Sequence, residues 1–279
     1  MKNTSLFALL AALLPLALQA RENNYTLVWA DEFNVGGVPN PGNWIYEHGH
    51  VRNNEAQWYQ PGNATCTNGL LVIEGRRERV PNTNYNPNSN YWKTKWKFAE
   101  YTSACLKTKG LHSWKYGRFE MRAKIDVRPG LWPAFWTLGV DGPWPENGEI
   151  DIMEYYRGSL LANAFWGSGK KHKPKGDATK TPIEELGGSG WANHFHIWRM
   201  DWDEESIKLY VDDQLLNETK LADTFNPKGN PIGNPFRQPH YILVNLAIGG
   251  TCGGDPSETE FPSRYEIDYV RVYQKEKQP

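Results

Sequence analysis

Cysteine is scarce in this chain: 279 residues contain three, Cys66, Cys105 and Cys252. Three thiols form at most one internal disulfide and leave one over, so the fold cannot be a disulfide scaffold, and no zinc-ligand spacing occurs among them. Cys105 lies in a strand-like run, where a bridge and an inert buried thiol are both compatible with the sequence. An excess of one charge is also missing. With 31 basic and 32 acidic residues the chain lacks the clustered positive surface that nucleic acid requires. Helical periodicity is rare, and no internal repeat or low-complexity linker divides the chain.

The apolar stretch from Leu6 to Leu18, after Lys2 and before Ala20, is too short for a comfortable membrane span. It has the layout of a secretory signal peptide cleaved near Ala20, although Leu18 departs from the small-residue rule, and no following cysteine offers a lipid anchor. The expectation is a signal at residues 1–20 and one domain over 21–279. That product would be exported to the extracellular space or periplasm, free of the membrane after cleavage, and monomeric.

What the sequence has in quantity is strand pattern. From Arg118 to Ile125, Phe119, Met121, Ala123 and Ile125 alternate with charged residues, as in a half-buried strand. Short runs of this kind, joined by Gly, Pro and Asn turns, predict an all-β fold of two antiparallel sheets packed face to face. Pro81 to Asn90 reads as a loop. Thr181 to Gly187 reads as one capped helical turn, with Thr181 at the N-cap, Pro182 first and Gly187 as the stop. His196, in an aromatic strand, reads as a packing residue with satisfied hydrogen bonds.

One segment stands apart. Gly148-Glu-Ile-Asp-Ile-Met-Glu-Tyr155 carries three carboxylates, Glu149, Asp151 and Glu154, in a run of β-formers. Alternation puts Glu149 and Asp151 on one face and Ile150 and Ile152 on the other, but Glu154 has the wrong parity. A β-bulge at Ile152 or Met153 would return Glu154 to the acidic face. Glu149 and Glu154 would then lie four strand steps apart, roughly 13 Å at the backbone. Side chains leaning together close that gap to the about 5 to 5.5 Å of a retaining glycosidase, with Glu149 as nucleophile and Glu154 as acid and base. Crowding raises one pKa of the three, and Asp151 is placed to tune Glu149 through a proton or hydrogen bond. The competing readings are a solvated acidic edge or a calcium site.

Trp132, Trp136 and Trp144 flank the acids. The chain has 13 Trp at a mean hydropathy of -0.68, so its aromatic excess does not simply reflect a greasy composition. Flat indoles bind the C–H faces of sugar rings, which makes the three candidate stacking platforms.

The acidic run resembles the bulged active-site signature of glycoside hydrolase family 16. Further matching segments are Trp29-Ala-Asp-Glu-Phe33, Asn54-Glu-Ala-Gln-Trp-Tyr59, Tyr116 to Lys124, Phe195 to Trp202, Leu209 to Asp213, Leu243 to Gly250 and Ile267 to Tyr273. The resemblance implies a concanavalin-like jelly roll with a concave cleft. It also implies a secreted retaining endo-glycosidase of β-1,3 or mixed β-1,3/1,4 glucans that needs no catalytic cofactor. By the same resemblance Asn53, Glu55, Trp132, Trp136 and Asn245 contribute to sugar binding. A structural calcium is implied too, with Asp268 as side-chain ligand and Glu32 and the Gly69 carbonyl as partners.

Two features depart from a plain glucanase. Phe165-Trp166-Gly167 has phenylalanine where laminarinases usually carry histidine, which opens the linkage preference to galactans such as agar, carrageenan or porphyran. The lysine-rich Gly169 to Gly176 reads as a solvated loop, or as a cationic contact to an acidic polysaccharide. A glycan-binding protein without catalysis is the rival from another class, since one scaffold serves both. Asn24, Asn63 and Asn217 each stand in an Asn-x-Thr context for glycosylation.

Overall fold

A computed structural model describes residues 25–170 and 173–276. The expected signal segment at residues 1–20 and the acceptor Asn24 lie outside the described residues. The fold is a two-sheet antiparallel β-sandwich. The cleft-bearing sheet has seven strands in the spatial order Lys173–Pro182, Ser159–Lys170, Glu149–Tyr156, Leu131–Gly139, His240–Ile248, Cys105–Lys107 and Ile45–Tyr46. The opposing sheet has eight, centred on Gly117–Lys124 between His196–Trp202 and Ser263–Lys275.

The alternation read at Arg118 to Ile125 is realised: Phe119, Met121 and Ala123 are fully buried between the sheets. Each large apolar side chain sequestered there contributes about 1.5–3 kcal/mol. Leu131–Gly139 is instead apolar almost throughout because both of its faces are covered. Leu131 and Phe135 point into the main core, whereas Ala134 and Trp136 join Tyr59, Cys105, Tyr241 and Leu243 in a second cluster.

Three local expectations change. Thr181 is not a cap: it pairs with Leu160 in the edge ladder, and the turn is a 3-10 helix, Ile183–Leu186, preceded by Pro182. Gly187 does end that turn, at a φ of 111° that a side chain would resist. The lysine-rich segment is not a loop either, because the strands run to Lys170 and resume at Lys173. Only one neighbour is available to that edge strand, and its exposed lysines discourage further pairing. Finally, Asn63 and Asn217 are buried, and their amide nitrogens already donate to the carbonyls of Glu74 at 2.8 Å and Ala162 at 3.0 Å. Neither is placed to accept a glycan. His196 fits its expected role: Nδ1 meets Asp212 at 2.9 Å, Nε2 meets the Trp191 carbonyl at 2.9 Å, and the ring stacks on Trp191.

Candidate active site

The bulge lies where the parity argument requires it. Against Ser159–Lys170, Glu149 pairs with Phe165 and Asp151 with Asn163, and then the register jumps so that Glu154 pairs with Leu161. Glu149, Asp151 and Glu154 therefore face one cleft of about 210 Å³, while Ile150 and Ile152 enter the core. Asp151 is buried, and the two glutamates are half-buried at the cleft floor.

Each carboxylate has its own partners. Glu154 Oε1 accepts from Trp132 Nε1 at 2.8 Å, and the Trp144 indole, 41% exposed at the rim, favours the ionised form of Glu149. Asn163 Nδ2 bridges Asp151 Oδ2 at 3.0 Å and Glu154 Oε2 at 3.3 Å. A further hydrogen bond links Asp151 to Glu154. The sequence reading attached Asp151 to Glu149, but its hydrogen bonds go to Asn163 and Glu154, because the bulge turns Glu154 back toward it.

Burial raises the pKa of all three acids. Their mutual repulsion adds to this for Glu149 and Asp151, where the Glu154 charge is the next cause. Arg52 acts in the opposite sense on Glu149, favouring its ionised form. The Trp132 hydrogen bond does the same for Glu154.

The cleft gathers most of the other expected residues. Asn53, Glu55, Trp132, Trp136 and Asn245 line it with the acids; Trp144 stands at its rim instead. Trp136 Nε1 donates to Asn245 Oδ1 at 2.7 Å, and Asn245 Nδ2 donates to the Tyr59 hydroxyl at 3.1 Å. Glu55 accepts from Gln57 at 2.7 Å and from Asn53 at 3.4 Å. Asn53 and Asn54 have φ of 56° and 52°, a left-handed conformation that asparagine tolerates better than most residues. A side chain at Gly250 would lie 2.8 Å from the Asn53 carbonyl, so glycine is what lets this loop close on the cleft.

Arg52, Tyr156, Asn163 and Cys252 also line the cleft, and sequence reasoning missed them. Asn163 was accessible in principle, because it faces Asp151 once the strand pairing is known. Arg52 precedes Asn53 but gains meaning only from its position 5.1 Å over the Trp136 ring. Phe165, noted as a departure, lines the cleft beside Glu149, and its ring lies over Gly176, where a Cβ would come within 2.4 Å.

The carboxylates expected to hold calcium are engaged by arginines. Both Glu32 oxygens accept from Arg271, at 2.7 and 2.8 Å, and Asp268 accepts from Arg122 at 2.6 Å. A cation bound to those carboxylate oxygens would have to displace two guanidinium groups. Among the described residues no group of three or more His, Cys, Asp or Glu side chains is placed to hold a metal.

The family model for glycosyl hydrolases family 16 matches residues 76–271. The chain belongs to glycosyl hydrolases family 16. A β-glucanase of Rhodothermus marinus is 34% identical over 270 residues, covering 90% of this chain and 85% of its own. The laminarinase catalytic domain of Thermotoga maritima superposes with a TM-score of 0.75 at 33% identity, covering 91% of this chain and all of that one. A structure from work on endo-acting O-glycanases of the human gut microbiota, which initiate mucin breakdown, superposes at 0.82 with 36% identity, over 92% and 93% of the two chains. Membership makes the protein a glycoside hydrolase, and the carboxylate trio is the feature a sugar-binding protein would not need.

Proposed function

We propose that the protein is an exported, monomeric, retaining endo-glycosidase that cleaves β-1,3 or mixed β-1,3/1,4 glucans. The observation that carries this reading is the bulge, which aims Glu149 and Glu154 into one cleft on either side of Asp151. Glu149, whose ionised form Arg52 favours, attacks the anomeric carbon while Glu154 protonates the departing glycosidic oxygen. Glu154, now ionised, takes a proton from water, whose oxygen displaces Glu149 and regenerates the free carboxylate. Asp151 and Asn163 are positioning residues that hold Glu154 on the cleft face. Trp136, Trp132 and Phe165 offer flat surfaces to the sugar faces.

A second reading, endo-action on a mucin-type O-glycan, is favoured by the 0.82 superposition. Reducing-end release from laminarin, lichenan, agarose, carrageenan and mucin O-glycans separates the two. Cleavage of laminarin or lichenan supports the glucan reading; cleavage confined to mucin O-glycans replaces it with the second.

A further inference from the structure

A second groove lies beside the acid cleft. It encloses about 680 Å³ between the substrate-side loop, with His50, Asn54 and Glu55, and a hairpin that contributes Arg79, Trp92, Lys95, Trp96, Lys97 and Phe98. Glu55 lines both this groove and the acid cleft, so one glycan chain can run through the two.

The hairpin wall has an unusual composition for this chain. Residues 76–100 hold six basic and two acidic residues, against 31 and 32 overall. Tyr91-Trp-Lys-Thr-Lys-Trp-Lys-Phe98 interleaves cations with aromatic rings. Lys95 Nζ sits 4.8 Å from the Trp96 ring centre, Lys97 Nζ 5.7 Å from that of Phe98, and the Arg79 guanidinium 4.1 Å from the same Phe98 ring centre. Among the described residues Lys93, Lys95 and Lys97 make no ion pair, and Arg79 meets only the exposed Glu100, at 3.4 Å. Burial pushes the His50 pKa down, so at neutral pH the groove's positive charge belongs to the lysines and Arg79.

This wall is also ordered. Asn82 is buried and donates to the carbonyls of Lys93 at 2.8 Å and Trp96 at 2.9 Å, and its own N–H bonds to the Lys97 carbonyl at 3.0 Å. The cations are thus mounted on a folded platform, which lowers the entropic cost of engaging a ligand. Stacking surfaces suit a sugar face, and unpaired ammonium groups beside them suit an anionic substituent.

We propose that this groove is a distal binding site for an anionic sugar unit, bearing a sulfate ester or a carboxylate, on the same glycan chain whose cleaved linkage reaches Glu149 and Glu154. The proposal rests on the glycan-hydrolase reading of the acid cleft but not on which backbone is cut.

The test is affinity electrophoresis of the whole protein in gels containing laminarin, sulfated laminarin or carboxymethyl laminarin, and native or desulfated mucin O-glycans, at low and high salt. The expected result is binding to at least one charged form about tenfold tighter than to its neutral counterpart, the scale of one charge-assisted hydrogen bond. The sulfated and carboxymethyl arms show which anion is recognised. Added salt should erode the preference. Lys95→Ala/Lys97→Ala should abolish it, Lys95→Arg/Lys97→Arg should keep it, and Lys173→Ala/Lys175→Ala, on the distant edge hairpin, should keep it too. Equal affinity for charged and neutral forms on both backbones overturns the proposal, as does a preference that survives in Lys95→Ala/Lys97→Ala with an unchanged melting temperature. Hydrolysis, followed separately, tests the glucan reading: uncut laminarin with an intact charge preference rejects that reading and leaves the groove assignment standing.

Discussion

Trp132 Nε1 stands 2.8 Å from Glu154 Oε1, so the indole that borders the cleft also fixes the acid that must deliver a proton. Its hydrogen bond favours the ionised carboxylate and lowers a pKa that burial has raised. Trp132→Phe keeps the flat surface and removes the donor. The expected result is a roughly tenfold loss in kcat/KM. The alkaline limb of the pH–rate profile should also move to higher pH, because Glu154 then holds its proton more tightly. A profile displaced to lower pH would contradict the assignment.

Neutralising the nucleophile should cost activity and raise stability. Burial raises the Glu149 pKa above the ordinary 4.5, and the neighbouring Glu154 charge adds to it, so the folded protein holds this proton more tightly than the unfolded chain does. Its favourable contribution is complete below pH 4.5 and is lost as pH rises through the raised pKa. Glu149→Gln carries no such penalty. Thermal melts should show it more stable than the parent by about 1 kcal/mol or more at pH 8, converging below pH 4.5. Hydrolysis by the same variant should fall at least a thousandfold. A variant less stable than the parent at pH 8 would refute the burial argument.

Phe165 and Gly176 act as a pair. Phe165→Ala removes a stacking surface beside Glu149 and should raise KM about threefold to tenfold with a smaller effect on kcat. Gly176→Ala touches no substrate, yet its Cβ would sit 2.4 Å from the Phe165 ring and must displace it. Steady-state kinetics should therefore show the same KM defect in both variants. Normal kinetics in Gly176→Ala would mean that the ring position is irrelevant to binding.

Chelation should not matter. Glu32 and Asp268 are held by Arg271 and Arg122, so EDTA should leave the melting temperature unchanged and added calcium should not raise it. A calcium-dependent rise of several degrees would show that the guanidinium groups give way to the ion.

The sequence exposed those parts of the site that obey a local rule. Side-chain parity revealed that Glu154 needed a bulge, and alternation at Phe119, Met121 and Ala123 revealed a core strand. Long-range contacts were hidden. Arg52 and Asn163 meet the acids only because the Arg52 loop folds over the sheet and the Ser159–Lys170 strand pairs with theirs, which no local pattern reports. Competition between local and ladder bonding misled the reading at Thr181, where a cap residue was taken into a strand. The same cause hid the lysine-rich hairpin: a charged edge strand looks like a loop until its partner is known.

The stereochemistry of the first product tests the central claim most directly. Proton NMR recorded within seconds of cleaving a laminarin oligosaccharide should show the β-anomer at the new reducing end, relaxing later to the equilibrium mixture, as double displacement through Glu149 demands. Initial release of the α-anomer would mean that water, not Glu149, attacks the sugar, and would contradict the account.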